Sequence, residues 1–264
     1  MIWQIVKRLA VAGVILFYLV LIISFVSVES RKLVCSKLDI HICDSALNRF
    51  ITRGDVVSLM ETHGIKSLGY PVEQINTLII EQLIREFPPV ASVEAYCTVD
   101  GILIIDVVQR RPVIRIICNN GQSYYIDYNG KILPLSHKYT SHVPVVNGFI
   151  PANIPVINNT SVIPADTLKK NRTQLYDLYR MGRYIYDDPF LSSQIQQIYV
   201  YPGGMMDMLP RIGNHVISFG HVDDMEYKFE KLKTFYSKAL SAVGWNEYKK
   251  IDVKFSNQIV CTKN

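Results

Sequence analysis

Histidines and paired aspartates are the side chains with which this sequence could build a metal site or an acid–base site. None of the six histidines belongs to an HExxH motif or to a Cys/His cluster with zinc-ligand spacing. His215 and His221 flank a predicted strand and are expected on the surface. Adjacent carboxylates, Asp187–Asp188 and Asp223–Asp224, point in different directions on a helix or turn, and the second pair is predicted to cap a helix. We therefore predict no catalytic site and no bound metal.

Motifs that bind nucleotides or activate a serine are also absent from the sequence. It contains no GxxxxGK[ST] loop, no GxGxxG after a predicted strand and no GxSxG turn. Exposed tyrosines offer a binding function instead, because they can contact carbohydrates or anchor protein interfaces. Seven of the 16 tyrosines could do so, or could lie at the margin of the core: Tyr124, Tyr125, Tyr128, Tyr176, Tyr179, Tyr184 and Tyr186. We predict a non-enzymatic binding protein with no cofactor and no small-molecule substrate.

Composition and charge define the class of protein and limit its partners. The 264 residues are 49% hydrophobic and 19% charged, which excludes an intrinsically disordered chain. Residues 1–32 hold four of the 28 basic and one of the 23 acidic residues, so the rest of the chain has 24 basic and 22 acidic residues. That balance is too weak for a surface that follows a phosphate backbone. We expect no nucleic-acid partner.

One apolar segment near the N-terminus predicts the compartment. Residues 9–28 read LAVAGVILFYLVLIISFVSV without a charge, and as a helix they would span about 30 Å, the thickness of a bilayer's hydrocarbon core. A cleaved signal peptide is the alternative, but its apolar region is usually only about 7–15 residues long. A buried core helix is a third possibility, although no polar stretch interrupts the run. We predict an uncleaved transmembrane helix.

The charges that flank this segment predict its orientation. Lys7 and Arg8 precede the segment and Arg31 and Lys32 follow it, so the positive-inside rule is nearly balanced. A short positive N-terminus normally stays inside, whereas a long C-terminal domain can cross the membrane regardless of its charge. We predict a single-pass protein with residues 1–8 in the cytoplasm and its folded part outside.

The five cysteines do not form a regular disulfide framework. Their number is odd, their spacing is irregular and no CxxC pair exists. Cys97 and Cys118 lie in apolar, strand-like segments, where they are expected to be small buried residues. A bridge between Cys35 and Cys43 is possible in an exported protein.

Residues 33–112 are predicted to form a small βααββ unit. Thr52 and Asp55 have the spacing of a capping box for the first helix. The second helix, which Asn76 would cap, repeats apolar residues at helical spacing: Leu78, Ile79, Leu83, Ile84 and Phe87. Asp100–Gly101 is the signal of a two-residue hairpin between the last two strands.

Residues 113–264 are predicted to form a mainly antiparallel β domain with flanking helices, which makes the fold class α+β. Turn signals separate strands that should follow one another as a β-meander: 113–118, 122–128, 144–147, 195–201, 206–211 and 215–220. One helix is expected over 168–186 and another over 225–243. One or two strands, over 250–255 and 258–262, are expected to close the chain.

A series of spaced residues along the chain carries a resemblance to known proteins. The first part is Asn76, Leu83, Pro88, Val90 and Ala95, then Leu103, Ile105, Val107, Gln109, Arg110 and Pro112. The second part is Tyr125, Ile126, Asp127 and Gly130, then Val143, Pro144 and Gly148, and after a late helix Ile251–Phe255. This series resembles the POTRA domain and the β domain of the FtsQ/DivIB family of bacterial cell-division proteins. The family also has a short N-terminal tail, a single anchor, a POTRA unit and a β domain in that order.

The resemblance implies a domain organisation and a function. Residues 1–8 would be a cytoplasmic tail, 9–28 a transmembrane helix, 33–112 a POTRA domain and 113–264 a β domain whose last strands bind partners. The family consists of non-enzymatic, bitopic scaffolds of the divisome that lie in the cytoplasmic (inner) membrane at the division septum. They join FtsB and FtsL and, through them, influence the septal peptidoglycan synthase. The POTRA unit is expected to serve in localisation.

The expected FtsB contact is a strand near the C-terminus, because in the family FtsB adds a strand to the edge of the last strands. The matching residues are Ile251, Asp252, Val253, Lys254, Phe255 and Ser256. A strand near the end of a chain tends to be a sheet edge with unpaired N–H and C=O groups. Lys254 and Phe255 match family positions that contact the partner, although Phe255 could instead fill the core. Better-known members carry a tryptophan near the C-terminus, and this sequence has none in its last residues, 260–264.

Two other functions remain open at the level of sequence. An exported POTRA-type chaperone or assembly module for envelope protein translocation would require a β-barrel or pore as its partner. A wall-binding enzyme would require a catalytic site that the sequence does not reveal.

Overall fold

The computed structural model describes residues 3, 11, 13–22, 33–45, 48–150 and 174–264. Internal contacts divide the chain into two units, one made of Met1–Ser45 and Ile51–Gln109 and the other of Ala46–Phe50 and Arg110–Asn264. Of the predicted membrane segment, residues 11 and 13–22 are described, and they are helical and exposed. Within the described ranges, no helix has both the length and the hydropathy that crossing a bilayer requires.

The first unit has the predicted βααββ order. Its elements are β1 (Lys37–Ile42), α1 (Arg53–Thr62), α2 (Thr77–Arg85), β2 (Val90–Cys97) and β3 (Ile102–Gln109). The three strands form one sheet in the order β1-β3-β2, in which β1 runs parallel to β3 and β2 runs antiparallel to it. Both helices therefore lie between the first strand and the closing hairpin.

Local sequence signals fix the ends of these elements as predicted. The Thr52 hydroxyl accepts a hydrogen bond from the Asp55 backbone N–H at 3.3 Å, and the Asp55 carboxylate accepts one from the Thr52 N–H at 2.9 Å. This capping box satisfies two N–H groups that a helix start would otherwise leave unpaired. The side chain of Asn76 caps α2 by accepting from the Ile79 N–H at 3.2 Å. The capping predictions are confirmed.

The apolar face of α2 differs from the prediction. Ile80 and Ile84 are buried, whereas Leu78 and Ile79 are exposed. Residues four positions apart lie on the same side of a helix, so Ile80 and Ile84 face the sheet together. The Glu81 carboxylate holds this rotation, because it accepts a hydrogen bond from the backbone N–H of Ala95 at 2.9 Å.

The second unit is built on one large sheet. Its strands are β4 (Pro112–Ile117), β5 (Ser123–Asp127), β6 (Ile132–Pro134), β7 (Val145–Gly148), β8 (Ile195–Val200), β9 (Met206–Pro210), β10 (Val216–Gly220), β11 (Tyr248–Asp252) and β12 (Val260–Lys263). The helices are α3 (Gln174–Asp187), α4 (Pro189–Gln194) and α5 (Met225–Phe235), and α5 continues through a π-helical turn, Tyr236–Leu240, into Ser241–Val243. The start of the first predicted helix, at 168–173, lies outside the described residues.

The strand order is not the predicted meander. It is β12-β11-β10-β9-β8-β7-β4-β5-β6. Three neighbouring pairs are parallel, namely β4 with β7, β7 with β8 and β10 with β11. The meander prediction is wrong because long connections return the chain beside strands that are distant in sequence. Local turn signals do not specify such pairings.

The core of the second unit lies between the sheet and its helices. Fully buried side chains from α3 and α5 pack with strand residues in one cluster, which includes Leu178, Met181, Phe229, Leu232, Ile116, Ile198, Phe219 and Ile251. Gly182 on α3 allows a close approach, because a Cβ at this position would lie 2.9 Å from the Cβ of Ile114 on β4. Helix α3 therefore lies directly against β4 of the sheet.

Several individual side chains contradict the sequence-based expectations. Of the seven tyrosines that were expected either at exposed binding positions or at the core margin, Tyr124, Tyr125 and Tyr179 are buried. Asp224 is the N-cap residue of α5, one of the two predicted positions, but it has a φ of 52° and its side chain makes no capping hydrogen bond. Cys35 and Cys43 are both free thiols, so the possible bridge is not formed.

Candidate partner-binding edge

The strand predicted to be an exposed edge lies inside the sheet. Strand β11 pairs with β10 on one side and with β12 on the other. Ile251 is opposite Ile217 of β10 and Cys261 of β12. The predicted edge position of β11 is therefore wrong, because the chain reverses after this strand and places one more strand outside it.

The six residues predicted to bind FtsB fall into two groups. Ile251 and Asp252 end β11, whereas Val253, Lys254, Phe255 and Ser256 belong to the connection that leads to β12. Ile251 and Val253 are completely buried in the core. Lys254, Phe255 and Ser256 are exposed, and Phe255, which is 46% exposed, does not fill the core.

The edge of the sheet at this end is β12. In the part of the chain that the structure describes, β12 pairs with β11 alone. Val260, Thr262 and Lys263 are exposed, whereas Cys261 is partly buried and packs against the core cluster. The last residue continues the pairing, because the Asn264 N–H donates to the Glu247 carbonyl at 3.1 Å. Sequence reasoning predicted a strand here but did not recognise it as the edge.

The connection between β11 and β12 is held by several hydrogen bonds. The Val253 N–H donates to the Ser218 carbonyl at 3.0 Å, and the Lys254 N–H donates to the Asp252 carboxylate at 3.0 Å. The Lys254 ammonium also pairs with Asp252 at 3.1 Å. Gly220 has a φ of +75°, and a Cβ at this position would lie 2.6 Å from Lys254 Cγ. The absence of a side chain at Gly220 therefore lets Lys254 lie across the sheet.

Helix α5 supplies a further contact to this connection. The Lys231 Nζ donates to the Val253 carbonyl at 3.0 Å and also to the Phe255 carbonyl. Burial lowers the pKa of Lys231, and the nearby Asp252 carboxylate opposes that shift. The same ammonium lies 5.1 Å from the centre of the Tyr227 ring. Lys231 thus joins the helix layer to the segment that leads into the edge strand.

The electrostatics of the edge are mainly basic. Four lysines on β11, β12 and their connection are exposed, namely Lys249, Lys250, Lys254 and Lys263. The acidic residues nearest in sequence are Glu247 and Asp252, and the latter is paired with Lys254. A strand edge of this kind offers backbone N–H and C=O groups together with cationic side chains.

A pocket in the second unit has a different character. It measures about 600 Å³ and is lined by acidic residues from α3 and the start of α5, Asp177, Asp223, Asp224 and Glu226. Arg180 lies among them and pairs with Glu226 at 3.0 Å. Over the described residues, no group of three or more His, Cys, Asp and Glu side chains is arranged to hold a metal ion.

His215 was expected on the surface, but it is buried with only 1% of its surface exposed. Its Nε2 and the Tyr236 hydroxyl share a hydrogen bond of 2.5 Å, and its Nδ1 has no hydrogen-bond partner among the described residues. Burial lowers the pKa of His215, although the Trp245 backbone opposes that shift. The residue therefore belongs to the packing between α5 and the sheet and not to an exposed site.

Two protein-family models match the chain. Residues 33–108 match a POTRA-like domain, and residues 111–262 match the model described as FtsQ/DivIB, C-terminal related. The second match covers more than half of the 264 residues and includes β12 up to Thr262. A comparison with curated proteins finds no match.

Proposed function

The chain belongs to the FtsQ/DivIB family of cell-division proteins, and from that membership we propose that it is a membrane-anchored divisome scaffold that binds FtsB and FtsL. Both the POTRA-like match and the FtsQ/DivIB-related match support a role in cell division through protein–protein contacts. These families are generally non-enzymatic scaffolds. The septal peptidoglycan synthase is then an indirect partner, reached through FtsB and FtsL.

The observation that carries the proposal is the position of β12 at the end of the nine-stranded sheet. An edge strand presents a row of backbone donors and acceptors, and a partner strand can satisfy them by extending the sheet. The exposed side chains of Val260, Thr262 and Lys263 would then contact the partner beside that strand. In this proposal FtsB adds its strand to β12, while FtsL is recruited together with FtsB.

The six residues first matched to the family have two separate roles in this proposal. Lys254, Phe255 and Ser256 lie next to the edge and are exposed, so they can contact the same partner. Ile251, Asp252 and Val253 position the edge, because they form the pairing and packing on which β12 rests. The tryptophan found near the C-terminus of other members has no equivalent here, so Phe255 is the exposed aromatic residue beside the strand.

The anchor is part of the same proposal. The uncharged run at 9–28 supports one membrane crossing, with residues 1–8 in the cytoplasm and the two folded units on the periplasmic or extracytoplasmic side. A helix of this kind would place the protein in the cytoplasmic membrane. Its location at the septum follows from the contacts with the other division proteins.

Proline substitutions in β12 test the edge. Neighbouring residues of a strand direct their N–H groups to opposite sides, so one of Thr262→Pro and Lys263→Pro removes a bond to β11 and the other removes an outward N–H. We expect the variant that keeps the wild-type free energy of unfolding to lower co-purification of FtsB and FtsL by about tenfold, because a lost backbone bond costs about 1 kcal/mol or more. Co-expression with both partners and pull-down of the full chain measures this.

Two further variants serve as controls for the proline experiment. Lys263→Ala removes the charge but keeps the N–H, and Leu209→Ala changes an exposed residue on β9, away from the edge. Leu209→Ala should retain FtsB and FtsL, whereas Lys263→Ala should lower their recovery less than the proline variant does, because it removes a side-chain contact and keeps the backbone bond. Phe255→Ala should weaken recovery while leaving the protein folded. Unchanged recovery of both partners from both proline variants would contradict the proposal.

A further inference from the structure

Four exposed apolar side chains gather at one end of the first unit. They are Val34, Leu68, Tyr70 and Val99, which are 48%, 58%, 42% and 90% exposed. A single exposed apolar residue is ordinary on a protein surface, whereas a group of them marks a contact with another molecule or with a membrane. We call this group the apolar pole.

Backbone hydrogen bonds bring two parts of the pole together. The Cys35 N–H donates to the Tyr70 carbonyl at 2.8 Å, and the Gly69 N–H donates to the Cys35 carbonyl at 2.8 Å. Val34 also forms a β-bridge with Pro71. The loop that carries Leu68 and Tyr70 is therefore held by backbone pairing to the segment that precedes β1.

The β2–β3 hairpin brings the remaining residue to the same place. Val99 lies in its turn, and the next residues bring the turn against the chain at Val34, because the Ser36 N–H donates to the Gly101 carbonyl at 2.8 Å. Gly101 has a φ of +75°, and a Cβ at this position would lie 2.4 Å from the Val34 carbonyl oxygen. Only glycine permits this approach. The pole is thus a fixed structure.

The pole lies where the chain enters the first unit. Only four residues, Glu29, Ser30, Arg31 and Lys32, separate the apolar run 9–28 from Leu33, the residue before Val34. Five peptide steps span at most about 18 Å. If Val28 is the last residue in the hydrocarbon core, Leu33 cannot lie far beyond the headgroup layer, which extends about 5–8 Å from the core on each side.

We propose that the apolar pole lies in the interfacial layer of the membrane. Val99, Leu68 and Val34 would lie at the boundary between acyl chains and headgroups, and Tyr70 would lie at the level of the headgroups. The proposal rests on the transmembrane anchor proposed above. Tyrosine is enriched at this depth because its ring is apolar and its hydroxyl can stay hydrated. Lys66 is exposed on the same loop, so anionic headgroups would find a cation there, and Arg31 and Lys32 stand directly before Leu33 in the sequence.

A lipid surface suits the pole better than a protein groove. The four side chains come from three separate segments and project from a turn and a loop, so they form no continuous strand edge or helix face that a peptide could extend. Asp100, next to Val99, is also exposed. Its carboxylate can remain in the hydrated headgroup region, whereas a dry protein interface would have to supply it with a partner.

A tryptophan reporter tests the proposal in the full chain, reconstituted in vesicles of phosphatidylethanolamine and phosphatidylglycerol. Val99→Trp is compared with Ala91→Trp, an exposed residue on the same β2–β3 hairpin about 26 Å away along the strand. The emission of the parent protein, which contains Trp3 and Trp245, is subtracted. Brominated acyl chains should quench the added emission of Val99→Trp severalfold more than that of Ala91→Trp. A Leu68→Asp change beside the Val99→Trp reporter should reduce its quenching, because a carboxylate is costly at the lipid boundary.

Each outcome of the experiment decides between named possibilities. Strong quenching that Leu68→Asp reduces supports the lipid contact. A chain that floats with the vesicles but shows equal, weak quenching at both positions overturns the lipid contact and leaves the anchor and the scaffold function standing. A blue-shifted but unquenched Val99→Trp signal also overturns it, since a protein surface then covers the pole. A chain that does not float with the vesicles overturns the anchor and the lipid contact together.

Discussion

Buried His215 links the π-helical turn that follows α5 to the start of β10. Its Nε2 is hydrogen-bonded to the Tyr236 hydroxyl, and the ring also lies beside Gly213, where a Cβ would approach it to 2.7 Å. A charged imidazolium at this site would have to be desolvated without a carboxylate partner. The folded protein therefore favours the neutral ring.

This preference predicts a loss of stability in acid. Because the pKa of His215 is lowered in the folded state, the unfolded chain takes up the proton first, and its histidine titrates near 6.5. The stabilisation is present above that pH and is lost as the pH falls towards the folded-state pKa. The urea midpoint of the wild type should therefore fall between pH 7.5 and pH 5.5, and His215→Gln should make that fall smaller. His221→Gln, which changes an exposed histidine, should leave it unchanged; equal pH dependence in all three proteins would contradict the assignment.

The burial of His215 could not be predicted from its sequence neighbours. Two turn residues, Gly213 and Asn214, precede it, and this context is typical of a surface position. Its partner Tyr236 lies 21 residues later in the sequence, directly after helix α5. No local pattern around His215 indicates a contact at that distance. By contrast, the caps formed by Thr52 and Asn76 were predictable, because donor and acceptor lie within three residues of each other.

At the scale of elements, the same distinction explains what was right and wrong about the binding edge. The strands near 250–255 and 258–262 were recognisable from alternation and turn residues. Their order in the sheet was not, because β11 pairs in parallel with β10 after a long helical connection. The alternation of Ile251 and Val253 correctly indicated burial on one face, but burial on a face says nothing about whether a strand has one neighbour or two.

Lys231 connects an element of the helix layer to the edge. We expect Lys231→Met to destabilise the segment between β11 and β12 by about 1 kcal/mol, since the ammonium is the only group from α5 shown bonding the Val253 and Phe255 carbonyls in the described structure. Amide hydrogen exchange over residues 253–263 should become about fivefold faster, with little change in β4 or β8.

Lys238→Met provides the matched control for this substitution. Lys238 is exposed in the π-helical turn that follows the same helix, so its replacement should leave exchange at the edge unchanged. If Lys231→Met also left exchange unchanged, Lys231 would not position the connection. Exchange is measured on the protein alone, so this result does not depend on whether FtsB binds.

At the scale of the whole molecule, the fold of the first unit could be predicted from the sequence more completely than the fold of the second. The βααββ order of the first unit is confirmed, because both helices have a local cap, a hairpin signal joins β2 to β3, and β1 shows the alternation of a strand. The strand order of the second unit depends on pairing between strands that are distant in sequence, and local signals do not specify such pairs. The FtsQ/DivIB-related match covers this part of the chain. The connection at 151–173 lies outside the described residues.

Depletion of the protein in its own organism tests its role in the cell. We expect filaments without septa, because the proposed function includes recruitment of septal synthesis, and without that recruitment no septum is built. Microscopy of depleted cells, rescued with the wild-type chain or with the proline variant that keeps its stability, measures this. Rescue should succeed only with the wild type. Normal septation together with a defective envelope would instead support an exported assembly module.

The side of strand β12 that is unpaired in the described structure also has a consequence for the solubility of the purified protein. An edge strand with one unpaired side can pair with the same strand of a second molecule. The four exposed lysines near β12 oppose this self-association, because the like charges of the two molecules repel each other. Concentrated salt shortens the reach of that repulsion to a few ångströms. Protein purified without a partner should therefore aggregate as the ionic strength rises, and it should stay soluble longest at low protein concentration and low salt.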